Sequence, residues 1–183
     1  MVKAEEETVD TVARLLLTGG VAVIPTDTVY GLAAHPGCAD AVDRLYTIKA
    51  RSEKKPIALL AADVESIERF GYPITGKAKE LAEKHWPGAL TMVIGKEGFR
   101  IPDHDWTRRL LKTCGGVLRV TSANMSGKRP ATDAGTALSE IGLACDEIVD
   151  DGISKGGVAS TVVRVNADGS LEILRQGAIR IEV

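Results

Sequence analysis

VAVIPTDTVYGL, residues 21–32, is the stretch whose reading decides the fold. Val21, Ala22, Val23 and Ile24 form a short apolar run rich in β-branched residues, which predicts a buried strand. Upstream, Val9, Val12, Ala13, Leu16 and Leu17 fall on one helical face, and Gly19-Gly20 ends that helix. Directly after the strand come Thr26, Asp27, Thr28 and Tyr30, all within five positions. A loop that only had to turn could use less chemistry, so the cluster marks a candidate site.

The pattern continues outward. A helix is predicted over 39–50, with Val42, Leu45, Tyr46 and Ile48 inward, and a strand over 57–61. Helices over 63–70 and 76–85 precede a strand over 89–95. A helix over 105–113, a strand over 116–122 and a helix over 132–141 come next, the last capped by Thr132. Short strands are predicted over 147–151, 160–165 and 171–175, the last two joined by a turn at 166–169. Alternating strands and helices predict an α/β fold with a parallel or mixed sheet. No repeat, low-complexity tract or long linker interrupts 1–183, which reads as a single domain.

Composition narrows the function classes. Apolar residues are 44% but aromatics only 4%, so the core must be built from Val, Ile, Leu and Ala. A net charge of −2 excludes a strongly basic arm that binds nucleic acid by bulk electrostatics, while leaving room for a local basic patch. Cys38, Cys114 and Cys145 are odd in number and lack CxxC spacing, which argues against a disulfide framework or zinc site and for a reducing compartment. The acidic start MVKAEEETVD is no signal peptide, and no apolar run approaches the roughly 20 residues of a membrane span. A cytoplasmic protein without membrane contact is expected.

Polar clusters come after strands: TDTVYG (26–31), TSANMSG (121–127) and DDGISKGGVAST (150–161). In open α/β sheets ligands sit beyond the carboxyl ends of strands, and hydroxyls mixed with glycines suit phosphate or carboxylate oxygens. The same residue types also serve ordinary turns, but three such clusters in one small domain favour a site. GxGxxG and GxxxxGK[ST] are absent, and no GxSxG nucleophile elbow is read: GISKG (152–156) has that spacing but lies between two predicted strands rather than on a strand-to-helix turn. His35, His85 and His104 lack HExxH spacing, so no metal ligands are assigned. The basic run RLYTIKARSEKK (44–55) ends a predicted helix, where cations suit the dipole. Lys49 and Arg51 can instead reach an anion together only if the helix stops near Ala50, because residues i and i+2 of a continuing helix diverge by about 200°. Arg100, Lys128, Arg129 and Arg175 lie beside other polar or glycine-rich segments and suit a polyphosphate.

The ordered set PTDTVYGL (25–32), KAR (49–51), WPGALT (86–91), RIPDH (100–104), SANMSG (122–127), AST (159–161) and LRQGA (174–178) resembles the YrdC-type threonylcarbamoyl-AMP synthases, in their short single-domain form. The resemblance implies an open, twisted, mixed α/β sheet with helices packed on it and a positively charged concave cleft. It implies ATP-dependent condensation of L-threonine and bicarbonate with Mg²⁺ and release of pyrophosphate. That is the first step of N6-threonylcarbamoyladenosine modification of tRNA, completed by threonylcarbamoyl transferase complex proteins. Position by position, it implies Lys49 and Arg51 as the catalytic KxR pair. Thr28, Arg100, Val120 and Ser160 then surround threonine. Arg51, Lys55, Ser122, Asn124, Ser126 and Arg175 surround ATP. Departures from the family pattern are Ser52 for proline, Lys55 for asparagine, Leu60 for histidine and Ala89 for proline. A non-catalytic double-stranded RNA-binding module of the same fold, with direct tRNA contact, is the alternative.

Overall fold

A computed structural model describes residues 1–50 and 56–182. The described strands are β1 (Val2–Lys3), β2 (Val21–Ile24), β3 (Gly31–Ala34), β4 (Leu59–Ala61), β5 (Leu90–Ile94), β6 (Glu97–Arg100), β7 (Val117–Ser122), β8 (Glu147–Asp150), β9 (Thr161–Val165) and β10 (Leu171–Arg175). The helices are α1 (Glu6–Leu17), α2 (Ala39–Lys49), α3 (Val64–Arg69), α4 (Gly76–His85), α5 (Asp105–Thr113) and α6 (Ala134–Ile141). The strands form one open mixed sheet in the order β1-β8-β2-β3-β7-β4-β6-β5-β9-β10. The neighbours β1/β8, β8/β2, β4/β6 and β5/β9 run parallel, and the other joins are antiparallel.

β2 is buried at every position, as its composition predicts. The chain leaves β2 through a hairpin loop rather than a strand-to-helix turn. Gly31 pairs with Ile24, so residues 25–30 connect two antiparallel strands. β3 escapes a reading by propensity because Gly-Leu-Ala-Ala contains no β-branched residue. β6 escapes it because Glu-Gly-Phe-Arg has two charges and a glycine, and forms a hairpin with β5.

Side chains alternate across the sheet, and the helices divide accordingly. α1 and α5 cover one face through Val12, Leu16, Leu110 and Leu111 against Ile24, Leu60 and Leu118. α2 and α6 cover the other face beneath Val21, Val23 and Leu32. α3 and α4 extend that second cover over Leu59, Leu90, Met92 and Phe99. The residues alternating with these on β5, β6 and β9 are therefore turned to the first face: Thr91 and Val93, Gly98 and Arg100, Val162.

Two local expectations change. Asp133, not Thr132, caps α6: its Oδ1 accepts from the Thr136 N–H at 2.8 Å, while the Thr132 carbonyl accepts from Ser154 N–H at 2.7 Å. On α2 the fully buried residues are Ala41, Leu45 and Lys49, one every four positions. Val42, Tyr46 and Ile48 are half-buried flanks. The helix does stop where expected, in a left-handed Ala50 (φ 48°).

Candidate functional site

The hairpin loop 25–30 is organised by its own hydroxyls. Thr26 Oγ1 donates to the Val29 carbonyl (2.7 Å) and accepts from Thr28 N–H (3.2 Å). The Thr26 and Thr28 hydroxyls lie 3.1 Å apart. Tyr30 OH donates to the Gly152 carbonyl (2.7 Å) and accepts from Asp151 N–H (2.9 Å), and burial pushes its phenol above the ordinary value. This ties the first polar cluster to the third, 121 residues downstream.

On the first face of the sheet the loop borders a cavity of about 310 Å³. Thr28, Arg100, Val120, Ser122, Ser160 and Arg175 all line it, together with Leu60. The cavity therefore lies across the sheet's face, on Thr91, Val93, Gly98, Arg100 and Val162, rather than beyond the strand ends. The reason is the hairpin topology: adjacent antiparallel strands bring residues from both chain directions to one spot. Thr26 of the first polar cluster lines it too, as do Thr91 and Lys96, which were not singled out from the sequence. Thr91 and Arg100 sit at alternating positions of their strands, a signal visible only once β5 and β6 are placed.

Arg100 is 5% exposed. Its guanidinium donates from NH1 to Asp27 Oδ1 (3.0 Å) and from NH2 to Thr26 Oγ1 (3.2 Å). Burial draws its pKa below the ordinary value, opposed by the Asp27 carboxylate. Across the cavity, Ser160 Oγ lies 2.8 Å from Thr91 Oγ1. Arg175 donates through Nε (3.1 Å) and NH2 (2.8 Å) to the Ser160 carbonyl. Gly177 makes this approach possible, because a Cβ there would lie 2.3 Å from the Ala159 carbonyl oxygen. The Val120 N–H is taken by the Ala58 carbonyl (3.0 Å).

Lys49 is 2% exposed and does not line the cavity. Its ammonium donates to the Ser122 carbonyl (2.5 Å) and the Asn124 carbonyl (2.6 Å). Its own carbonyl accepts from Ser126 N–H (3.0 Å). The side chain thus enters beneath the SANMSG loop instead of facing the cavity. Asn124 is likewise buried and spends its amide on the Met125 and Lys128 carbonyls (both 2.9 Å). Neither it nor exposed Ser126 lines the cavity. Arg51 and Lys55 lie outside the described residues.

Three cations, Lys96, Arg100 and Arg175, line the cavity, and its described wall carries no Asp or Glu. No cluster of three His, Cys, Asp or Glu that could hold a metal ion occurs among the described residues. His104 Nε2 is 3.0 Å from Asp151 Oδ2, and its Nδ1 accepts from Thr107 N–H (3.3 Å) at the start of α5. The three cysteines are free thiols. No described helix is long and apolar enough to cross a membrane.

Residues 14–177 match the Sua5/YciO/YrdC family, which carries the description "Telomere recombination". The chain is 35% identical to the threonylcarbamoyl-AMP synthase of Bacillus subtilis, over 93% of this chain and 53% of that one. It is 32% identical to a Methanocaldococcus jannaschii relative, over 91% of this chain and 84% of the other. The chain thus spans about half of the first relative and most of the second. Its fold superposes with a TM-score of 0.87 on Pyrococcus abyssi Sua5 complexed with L-threonine, at 29% identity, covering 94% of this chain and 55% of that one.

Proposed function

The chain belongs to the Sua5/YciO/YrdC family, and on that premise we propose that it makes L-threonylcarbamoyl-AMP from L-threonine, bicarbonate and ATP, releasing pyrophosphate. One observation carries the reading: Arg100, Thr28, Ser160 and Arg175, drawn from four separate segments, line one cavity of small-molecule size. A recessed cavity of that kind supports the enzyme over the RNA-binding module, which would offer a broad surface to duplex phosphates.

The chemistry joins anions. Threonine's amine attacks bicarbonate to give a carbamate and water. A carbamate oxygen then attacks the α-phosphorus of ATP, and the bond to pyrophosphate breaks. No covalent enzyme intermediate is required. Arg100 would take threonine's carboxylate, as a guanidinium fork suits it. Thr28, Ser160 and the Val120 wall would hold its side chain and amine. Arg175, Lys96 and Ser122 would face the nucleotide, with Arg51 and Lys55 expected there from the motif. Alignment of the two reactants supplies much of the rate, and the cations stabilise charge moving onto pyrophosphate.

Mg²⁺ enters as the counter-ion of ATP. The described cavity wall, without a carboxylate, does not fit a resident ion. Lys49, Asn124 and Ser126 would act by shaping the loop that ends β7. The product would pass, in the cytoplasm, to a transferase complex acting on tRNA.

The test is pyrophosphate release from ATP with threonine and bicarbonate omitted in turn. Release should need both. ATP cleavage that proceeds equally without threonine, or that yields only ADP and phosphate, overturns the reading.

A further inference from the structure

The carboxylate of TDTVYG has no place in the chemistry above. Asp27 does not line the cavity, although Thr26 and Thr28 on either side of it do. Its side chain is turned to Arg100, forming an ion pair whose side chains are only 6% and 13% exposed. The Asp27 carbonyl is also engaged, accepting from Gly156 N–H at 2.9 Å. A Cβ on Gly156 would lie 2.8 Å from that oxygen, so the 152–160 segment is packed hard against the loop at this point. Asp27 is therefore fixed through its backbone as well as by its side chain.

A guanidinium has five N–H donors in a rigid plane. The described bonds use one to Asp27 and one to Thr26. With two edges of the plane fixed, the direction of the remaining donors is fixed too, and Arg100 lines the cavity. An arginine held by one acceptor would rotate about it. Here two acceptors from adjacent residues of one loop set both position and tilt.

We infer that Asp27 is a positioning residue for L-threonine: it aims Arg100 at the substrate carboxylate and touches no substrate itself. The inference deepens the proposed threonine site and rests on it. Simple neutralisation of a buried cation is the competing role, and the two differ in what geometry does. Asp27→Glu keeps the charge but moves the carboxylate by one methylene. A second cavity of about 320 Å³, separate from the first, is lined by Asp27 and gives the longer chain room. Positioning predicts loss in that variant, whereas neutralisation predicts none.

The experiment is calorimetric titration of the whole chain with L-threonine, and separately with ATP, for wild type, Arg100→Ala, Asp27→Glu and Asp27→Ala. Circular dichroism and melting temperature monitor folding. Arg100→Ala tests the underlying site, and a threonine Kd equal to wild type there overturns that site assignment. With Arg100→Ala weakened, Asp27→Glu and Asp27→Ala should each raise the threonine Kd tenfold or more and leave the ATP Kd within twofold. Should Asp27→Ala not fold, Asp27→Glu decides alone. A threonine Kd within twofold of wild type in Asp27→Glu overturns the positioning role, as does equal loss of ATP and threonine affinity.

Discussion

The Lys49 ammonium lies 2.6 Å from the backbone carbonyl of Asn124 and 2.5 Å from that of Ser122, so the lysine of KAR and the serine and asparagine of SAN are one buried unit. A solvated lysine facing phosphates would add little to stability. A buried ammonium bonded to two carbonyls behaves differently, because its removal takes the ammonium donor from the Asn124 carbonyl and leaves the Ser122 carbonyl only the Asn124 N–H at 2.9 Å.

Lys49→Met should therefore cost about 1–3 kcal/mol of folding stability. For a chain of this size that is about 2–4 °C in Tm per kcal/mol. Threonine-dependent pyrophosphate release should fall with it, since the loop carrying Ser122 loses its anchor. Lys49→Arg should not restore either quantity, because a planar fork does not fit a space made for a compact ammonium. Urea unfolding beside turnover measurements checks this. Unchanged stability with lost turnover would mean that Lys49 acts on substrate directly.

Arg175 reaches the Ser160 carbonyl only because Gly177 lets the segment after β10 lie on residues 159–160. In Gly177→Ala the new Cβ meets backbone atoms, which cannot rotate away. Overpacking of this kind costs about 1–3 kcal/mol. Arg175 and Ser160 should separate together, raising KM for ATP and for threonine in parallel. Arg175→Lys should keep the backbone path and raise KM for ATP by about 1.5–3 kcal/mol, roughly 10- to 150-fold. Steady-state kinetics with each substrate varied distinguishes the two patterns, and an unaffected Gly177→Ala enzyme would refute the clasp.

Asp133 caps α6, and its bonds to the Thr136 N–H and hydroxyl hold its pKa below the ordinary carboxylate value. Asp133→Ala should cost about 0.5–2 kcal/mol at neutral pH, and Asp133→Asn only a few tenths. Thr132→Ala should stay within about 0.5 kcal/mol. The depressed folded-state value sets the sign of the pH dependence. The charged cap contributes fully above the unfolded carboxyl pKa, and the contribution is lost as pH falls through the folded one. The gap between wild type and Asp133→Ala should therefore narrow in acid. A gap that is flat from neutral pH into acid would contradict the assignment.

The sequence by itself determined the α/β class, the limits of most helices, the buried β2 strand and the end of α2 at Ala50. These depend on local periodicity and caps, which neighbours in the chain decide. Through the family resemblance it also supplied Thr28, Arg100, Val120, Ser122, Ser160 and Arg175 of the cavity lining, because hydroxyls, arginines and glycines in a fixed order identify a chemistry before any coordinates do. Only the tertiary structure decided that TDTVYG is a hairpin loop, since β3 and β6 owe their strand form to pairing partners rather than propensity. It also decided the direction of the charges. The motif assigns Lys49 to the substrate and Asp27 belongs to the cluster that marks a candidate site, yet one is turned under Asn124 and the other onto Arg100. A charge among polar neighbours is equally suited to solvent, to a ligand or to an internal partner. Which of these it meets is set by residues 75 and 73 positions away, and those become neighbours only when the sheet forms.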